Sequence, residues 1–296
     1  MSGRQFESMN IQWYPGHMTK ARRMIEENVK LVDAVCEILD ARIPYSSRNP
    51  DLGRMLSRKA RILLLNKADL ADPAATRNWL KYFSLQGIEC ASVQSNKNTR
   101  DVLKAIERMT QEKVERSAAK GMKRTIRVMV VGVPNVGKST LINRLHGGAI
   151  AKTGNKPGVT RANQWVRVGD YLELLDTPGL LWPRLDDAEA ARKLAYISAI
   201  RDEVLDTYAL ACGLLDDLTE LAPDTLKERY HIQDMTLRGA ALMEAVCRGR
   251  GFLLRGGEVD IERGCAVVLD EFRDGKLGRI TLEQPPALHV EEENGI

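Results

Sequence analysis

The chain has 296 residues, 44% of them hydrophobic, enough to bury a core and to build two domains. Charge is abundant but mixed, with a net of +4, a mild basic excess compatible with RNA. Five scattered cysteines without a C-x-x-C pair fit reduced thiols better than a disulfide framework, four histidines show no metal-ligand spacing, and the longest apolar runs are strand-sized, which excludes a membrane span.

Residues 1–10 lack an apolar core and read as neither a signal nor a transit peptide. Residues 11–18, IQWYPGHM, read as a tucked loop before a basic helix over 19–31. Residues 34–39 predict a strand that ends at D-A-R-I-P (40–44), and a short helix is expected over 51–57. Residues 61–65 are a continuous apolar strand that runs into Asn66-Lys67-Ala68-Asp69. N-K-x-D at a strand end selects guanine. The Asp69 carboxylate accepts from the ring N1–H and the exocyclic amine, Asn66 contacts the other edge, and the Lys67 stem packs over the ring. Adenine offers neither donor, so an ATP would leave a buried carboxylate unpaired.

A helix over 74–86 precedes a strand over 88–93, whose polar exit places Gln94 and Ser95 near guanine O6. The helix over 99–119 and its exit carry Arg108, Lys113, Arg116, Lys120, Lys123, Arg124 and Arg127. They are either an ordinary solvated face or a contact surface for a phosphate backbone.

Residues 125–131 are β-branched and apolar, and 132–140 read GVPNVGKST, the loop G-x-x-x-x-G-K-[ST]. Strand, glycine-bearing turn and helix start make an anion site of backbone N–H groups and helix dipole. Asn135, Val136, Gly137, Lys138, Ser139 and Thr140 form the cradle. Lys138 reaches the β- and γ-phosphates, and the Ser139 hydroxyl holds Mg²⁺. In the loop over 149–164, Thr160 is placed to sense the γ-phosphate through Mg²⁺. Paired strands over 164–167 and 171–175 lead to Asp176-Thr177-Pro178-Gly179. There Asp176 acts on Mg²⁺ through its second shell and the Gly179 N–H meets the γ-phosphate.

The guanine motif precedes the phosphate loop, the reverse of Ras-like order. All the pieces must meet on one nucleotide, so the fold expected is a doubly wound α/β P-loop sheet, circularly permuted. From residue 183 onward apolar residues recur at helical spacing. Helices are expected over 186–199, 201–221, 224–230, 236–248 and 258–274, followed by a short extended piece over 279–282. The division is a permuted GTPase domain with an N-terminal extension (1–183), an all-helical domain (184–284) whose Arg238, Arg248, Arg250 and Arg255 are either an rRNA-binding face or ordinary solvated arginines, and an acidic tail (285–296) read as disordered.

The motif order, the opening I-Q-W-Y-P-G-H-M, the D-A-R-I-P segment and the tail from Leu180 resemble the ribosome biogenesis GTPase A family through about Pro286. The resemblance implies a cytoplasmic GTPase that uses GTP and Mg²⁺, binds the large ribosomal subunit precursor, and leaves after hydrolysis. Its turnover alone should be weak. A monomer is expected, with no membrane partner. A binding module with incidental hydrolysis is the alternative, and the lack of lipidation motifs argues against a membrane-trafficking GTPase. Leu180 stands where Ras-like enzymes place the water-orienting glutamine. His17 is the in-chain replacement the resemblance implies. In similar GTPases Asn135 helps hold a K⁺ that bridges the phosphates.

Overall fold

The computed structural model describes residues 15–56, 59–94, 99–151, 163–181 and 187–286, with backbone alone for 15–21, 51 and 54. Its centre is a six-stranded sheet in the order β3-β2-β1-β4-β6-β5. β1 (Ala34–Asp40), β2 (Ala60–Asn66), β3 (Glu89–Ser92), β4 (Ile126–Val131) and β6 (Leu172–Asp176) run parallel, while β5 (Gln164–Val168) pairs antiparallel with β6 at the edge. β1 is buried at every position, as a central parallel strand requires, and even its two acids, Glu37 and Asp40, are covered. β3, at the opposite edge, is mostly exposed or half-buried.

The chain starts mid-sheet at β1 and works outward through β2 to β3. It then crosses back along α4 (Arg100–Ala118) to β4 on the other side of β1. The switch point therefore lies between β1 and β4, where crevices open at the carboxyl ends of such sheets. This is the permuted order expected from the motifs. α4 covers the sheet with Val102, Ala105 and Ile106, a three-and-four spacing that turns the basic residues outward. On the other face α1 (Pro15–Asn28) and α2 (Pro50–Met55) shield Val35, Met129, Val131 and Leu175 through Ile25 and Leu52. α3 (Pro73–Leu85) packs Trp79 and Phe83 on Leu63 and Leu65. It starts at Asp72, whose carboxylate accepts the Ala75 N–H at 2.6 Å, with proline at the first helical position.

Beyond the sheet come α6 (Ala188–Tyr196), α7 (Thr207–Leu221), α8 (Pro223–Tyr230), α9 (Gly239–Gly249) and α10 (Ile261–Arg273), after α5 (Lys138–His146). The helix expected over 201–221 is in fact a 3-10 turn at Asp202–Val204 and then α7. The break comes from Asp206, which leaves the helical region to cap the Ala209 N–H at 3.0 Å. The last helix begins at Ile261 rather than 258, because residues 253 and 259 close an antiparallel bridge just ahead of it. The extended piece expected over 279–282 forms no strand. It still pairs with the sheet domain: Ile280 N–H donates to the Leu70 carbonyl (3.1 Å) and Leu282 N–H to the Arg42 carbonyl (2.8 Å). Residues 287–296 of the acidic tail lie outside the described residues. No described helix is long and apolar enough to cross a membrane.

Candidate functional site

β4 delivers the chain into the phosphate loop, and α5 leaves it. Lys138, the first residue of α5, is buried and donates to the carbonyls of Gly132 (3.1 Å) and Val133 (2.9 Å). Burial lowers its pKa to about 8, and the nearby Asp176 charge offsets part of that fall. The Ser139 hydroxyl donates to Asp176 Oδ2 at 2.8 Å, so the two groups expected around Mg²⁺ are in contact. Parallel pairing of β4 with β6, with Val130 opposite Asp176, is what brings them together. The segment after β6 folds over the loop. The Thr177 hydroxyl donates to the Val130 carbonyl (2.7 Å) and the Leu180 N–H to the Gly132 carbonyl (3.1 Å). Gly179 passes so close that a Cβ there would stand 2.7 Å from Pro134 Cα, a distance only glycine allows. Leu180 is buried with Ile25, Val131 and Leu175, which accounts for its apolar character.

β2 delivers Asn66 to the same end of the sheet. Its Nδ2 donates to the Val136 carbonyl at 2.7 Å, joining the guanine motif to the phosphate loop. Gly137 (φ +93°) adopts a left-handed conformation beside it, and a Cβ there would meet Asn66 Nδ2 at 2.4 Å. Lys67 has a left-handed backbone (φ 59°) and holds its ammonium 3.2 Å from Asp40 Oδ2. Burial lowers the Lys67 pKa, opposed by the Asp40 charge. Asp69 Oδ1 is buried and has no hydrogen-bond partner among the described residues. The motif is tied to β3 through the Ala68 N–H, which donates to the Val93 carbonyl (3.1 Å). Gln94 is exposed just beyond.

Behind the guanine motif lies a buried pair. Arg42 donates Nε to Asp40 Oδ1 (2.9 Å) and an Nη to Oδ2 (2.8 Å), the fork geometry that arginine supplies. Its other Nη donates to the carbonyls of Phe272 (3.1 Å) and Arg273 (3.3 Å) at the end of α10. Burial on its own would raise the Asp40 carboxyl, but the charges of Arg42 and Lys67 outweigh it and hold the group well below the usual carboxylate range.

The phosphate loop, Asn66, Lys67, Asp69, Gln94, Asp176 and Gly179 thus all stand at the carboxyl ends of β2, β3, β4 and β6. Thr140 is exposed on α5. Thr160 and Ser95 lie outside the described residues, and of His17, in the first turn of α1, only the backbone is described. The sequence reading gave Asn66 to the base alone and missed its bond to the phosphate loop. It also gave no role to Asp40 and Arg42. An acid at the end of an apolar strand, followed two residues on by arginine, was the available signal. Asn135 has φ 61° and donates Nδ2 to the Ser198 carbonyl at 2.5 Å, so the phosphate loop also docks on the segment after α6.

The donor set fits a magnesium nucleotide. A hydroxyl and one carboxylate suit a hard ion that takes its remaining ligands from phosphate and water. Among the described residues no group of three His, Cys, Asp or Glu side chains stands ready for a metal. The orphaned Asp69 oxygen fits a donor-rich base edge.

Comparison with known proteins agrees with this geometry. A family model described as 50S ribosome-binding GTPase matches residues 127–237. Ribosome biogenesis GTPase A of Priestia megaterium is 47% identical over 281 residues, 94% of this chain and 98% of its own. Its namesake in Thermotoga maritima is 32% identical, over 93% of this chain and 95% of its own. The GDP-bound structure of TM YlqF superposes with a TM-score of 0.67 at 28% identity, covering 89% of this chain and 99% of that one. The GNP-bound YlqF from T. maritima gives 0.64 at 29% identity, covering 91% and 100%.

Proposed function

The chain belongs to the ribosome biogenesis GTPase A family, and from that premise we propose that it is a cytoplasmic, monomeric GTPase that helps to assemble the large ribosomal subunit. In this reading it braces rRNA of the pre-50S particle while GTP is bound and leaves after hydrolysis. The observation that carries the reading is the Asn66–Val136 hydrogen bond of 2.7 Å, which joins base-selecting and phosphate-binding motifs 70 residues apart. One nucleotide spans both.

In the proposed chemistry Asp69 accepts the two guanine donors and Asn66 serves the other edge. The Lys67 stem covers the ring, and Gln94 and Ser95 stand by O6. Lys138 and the loop amides from Asn135 to Thr140 neutralise charge that develops on the γ-phosphoryl group. Ser139 and Thr160 would hold Mg²⁺, with Asp176 acting on it from its second shell; the ion would neutralise phosphate charge when bound. The Gly179 N–H reads the γ-phosphate, and loss of that group frees the segment beyond it. His17 is the candidate for orienting water, since Leu180 is buried in an apolar cluster. A K⁺ beside Asn135 completes the set, and exchange of K⁺ for Na⁺ in a turnover assay tests it.

A basic basin supports the RNA reading. At the amino ends of β1, β2 and β4, remote from the nucleotide motifs, Lys30, Lys59, Lys113, Arg124 and Arg127 gather around Asp33. Arg127 also lies over the exposed ring of Trp165 at 5.2 Å. Five cations beside Asp33 and Glu173 leave an excess of positive charge that suits a phosphate backbone, which binds in proportion to the counterions it releases.

The test is GTP turnover with and without pre-50S particles. Acceleration by the particles is expected. Equal rates would overturn the assembly reading, and a chain that hydrolyses nothing in either case would overturn the enzymatic one.

A further inference from the structure

We propose that the C-terminal strap, residues 279–283, is part of the guanine-selecting apparatus, with Arg279 as its positioning residue. The inference rests on the assignment of Asp69 to the base edge. Arg279 lies 210 residues from that aspartate in sequence. Its Nη2 nevertheless donates to the carbonyl of Ala68 at 3.0 Å, and its Nε to the carbonyl of Ala71 at 3.1 Å. Ala68 precedes Asp69 directly and Ala71 follows it by two. Between them the Leu70 carbonyl accepts the Ile280 N–H at 3.1 Å. Three backbone carbonyls around the base-reading carboxylate are thus held from behind by two consecutive strap residues.

The strap is itself anchored on both sides. The Thr281 hydroxyl accepts the Asp72 N–H at 3.0 Å, and the Leu282 N–H donates to the Arg42 carbonyl at 2.8 Å. The Trp79 indole donates to the Glu283 carbonyl at 3.0 Å. The Glu283 carboxylate is buried and accepts the backbone N–H groups of Tyr45 (2.7 Å) and Ser46 (3.2 Å) as well as the Ser46 hydroxyl. An anchored segment gives Arg279 a fixed origin. A guanidinium is a planar fork, so two carbonyls bonded to it lose freedom relative to each other. Asp69 must offer two oxygens to two donors at once, which tolerates an error of only about half an ångström. Loop carbonyls at a surface would find water if the strap were absent. The strap therefore acts on the geometry of Asp69 more than on whether the loop forms.

The test separates positioning from mere cover. IDP lacks the exocyclic amine, so the ratio of GDP to IDP affinity reports the second hydrogen bond of Asp69. Arg279→Gln should weaken GDP about tenfold and shrink the GDP/IDP ratio several-fold, with Arg279→Lys intermediate because an ammonium cannot fork across both carbonyls. A strap that only covers the fold would lower the melting temperature and weaken both nucleotides equally. An unchanged ratio therefore overturns the proposal. If Arg279→Gln fails to fold, Arg279→Lys and Thr281→Val carry the same ratio measurement. Asp69→Asn tests the underlying assignment separately, by a switch from GDP to XDP. No switch sinks the assignment itself, whereas a switch with an unmoved Arg279 ratio sinks the strap alone.

Discussion

The phosphate side and the guanine side of the site are built by different means. On the phosphate side nearly every contact is local or runs between adjacent strands. Lys138 bonds carbonyls five and six residues back, and Ser139 meets Asp176 because β4 and β6 are neighbours. On the guanine side the motif is four residues long, and what steadies it comes from far along the chain. Arg42 ties Asp40 to the end of α10, more than 200 residues away, and Arg279 holds Ala68. In this permuted order the guanine motif comes early and the C-terminal helices late, so these braces join opposite ends of the chain. The guanine motif and the C-terminal helices are thus tied together by the same residues.

The largest expected effect tests that dependence. Arg42→Met removes the forked partner of a fully buried carboxylate and two bonds to the α10 carbonyls. Breaking a buried pair from one side costs about 3–5 kcal/mol. Denaturant unfolding should show that loss, and Asp40→Asn added to it should restore part. A loss below about 1 kcal/mol would mean that the guanine side stands without its distant brace. Next comes Lys138→Ala. Removing a preorganised donor of this kind costs about 10²–10³ in turnover, here with little change in the melting temperature, because the lysine's own partners are two loop carbonyls. Equal damage to stability and turnover would erase the contrast between the two sides. Smaller again is Asn66→Ala, which acts on a bond that joins them. It leaves the Val136 carbonyl without that donor, at a cost of about 1–3 kcal/mol. Nucleotide affinity and stability should fall together in this variant.

The same contrast explains what was legible in the sequence. The phosphate loop, N-K-x-D and D-x-x-G are short, fixed in spacing and tied to strand ends, so their chemistry could be read residue by residue. A circularly permuted, doubly wound sheet followed, since all three had to meet. Arg42 and Arg279 were not legible as braces, because each bonds carbonyls more than 200 residues away in sequence. Arg42 looks like an ordinary surface arginine until the end of α10 arrives beside it. The helix break before Asp206 escaped for a local reason: an aspartate cap competes with continued helix, and apolar periodicity on both sides hides it. The strap escaped because its backbone pairs with loops and not with a strand, so it carries no alternating pattern to notice.

The smallest effect concerns pH, and it separates the two sides without mutation. Burial sets the Lys138 pKa at about 8, against an ordinary value of 10.5. Between these values the unfolded chain binds the proton and the folded chain does not, so this group's contribution to stability rises with pH across that window. Nucleotide binding runs the other way. Phosphate charge beside the amine favours its protonated form, so binding takes up a proton once the pH exceeds about 8. GDP affinity should then fall by at most about tenfold per pH unit above that point. Guanosine, which carries the same base and no phosphate, shares any titration of the base and of the guanine side but not that of Lys138. Calorimetric titration of both ligands from pH 7 to 9 should show GDP losing affinity more steeply than guanosine. Parallel curves would place the proton elsewhere and leave Lys138 charged throughout, which would mean that the phosphate side is less buried from solvent than its hydrogen bonds imply.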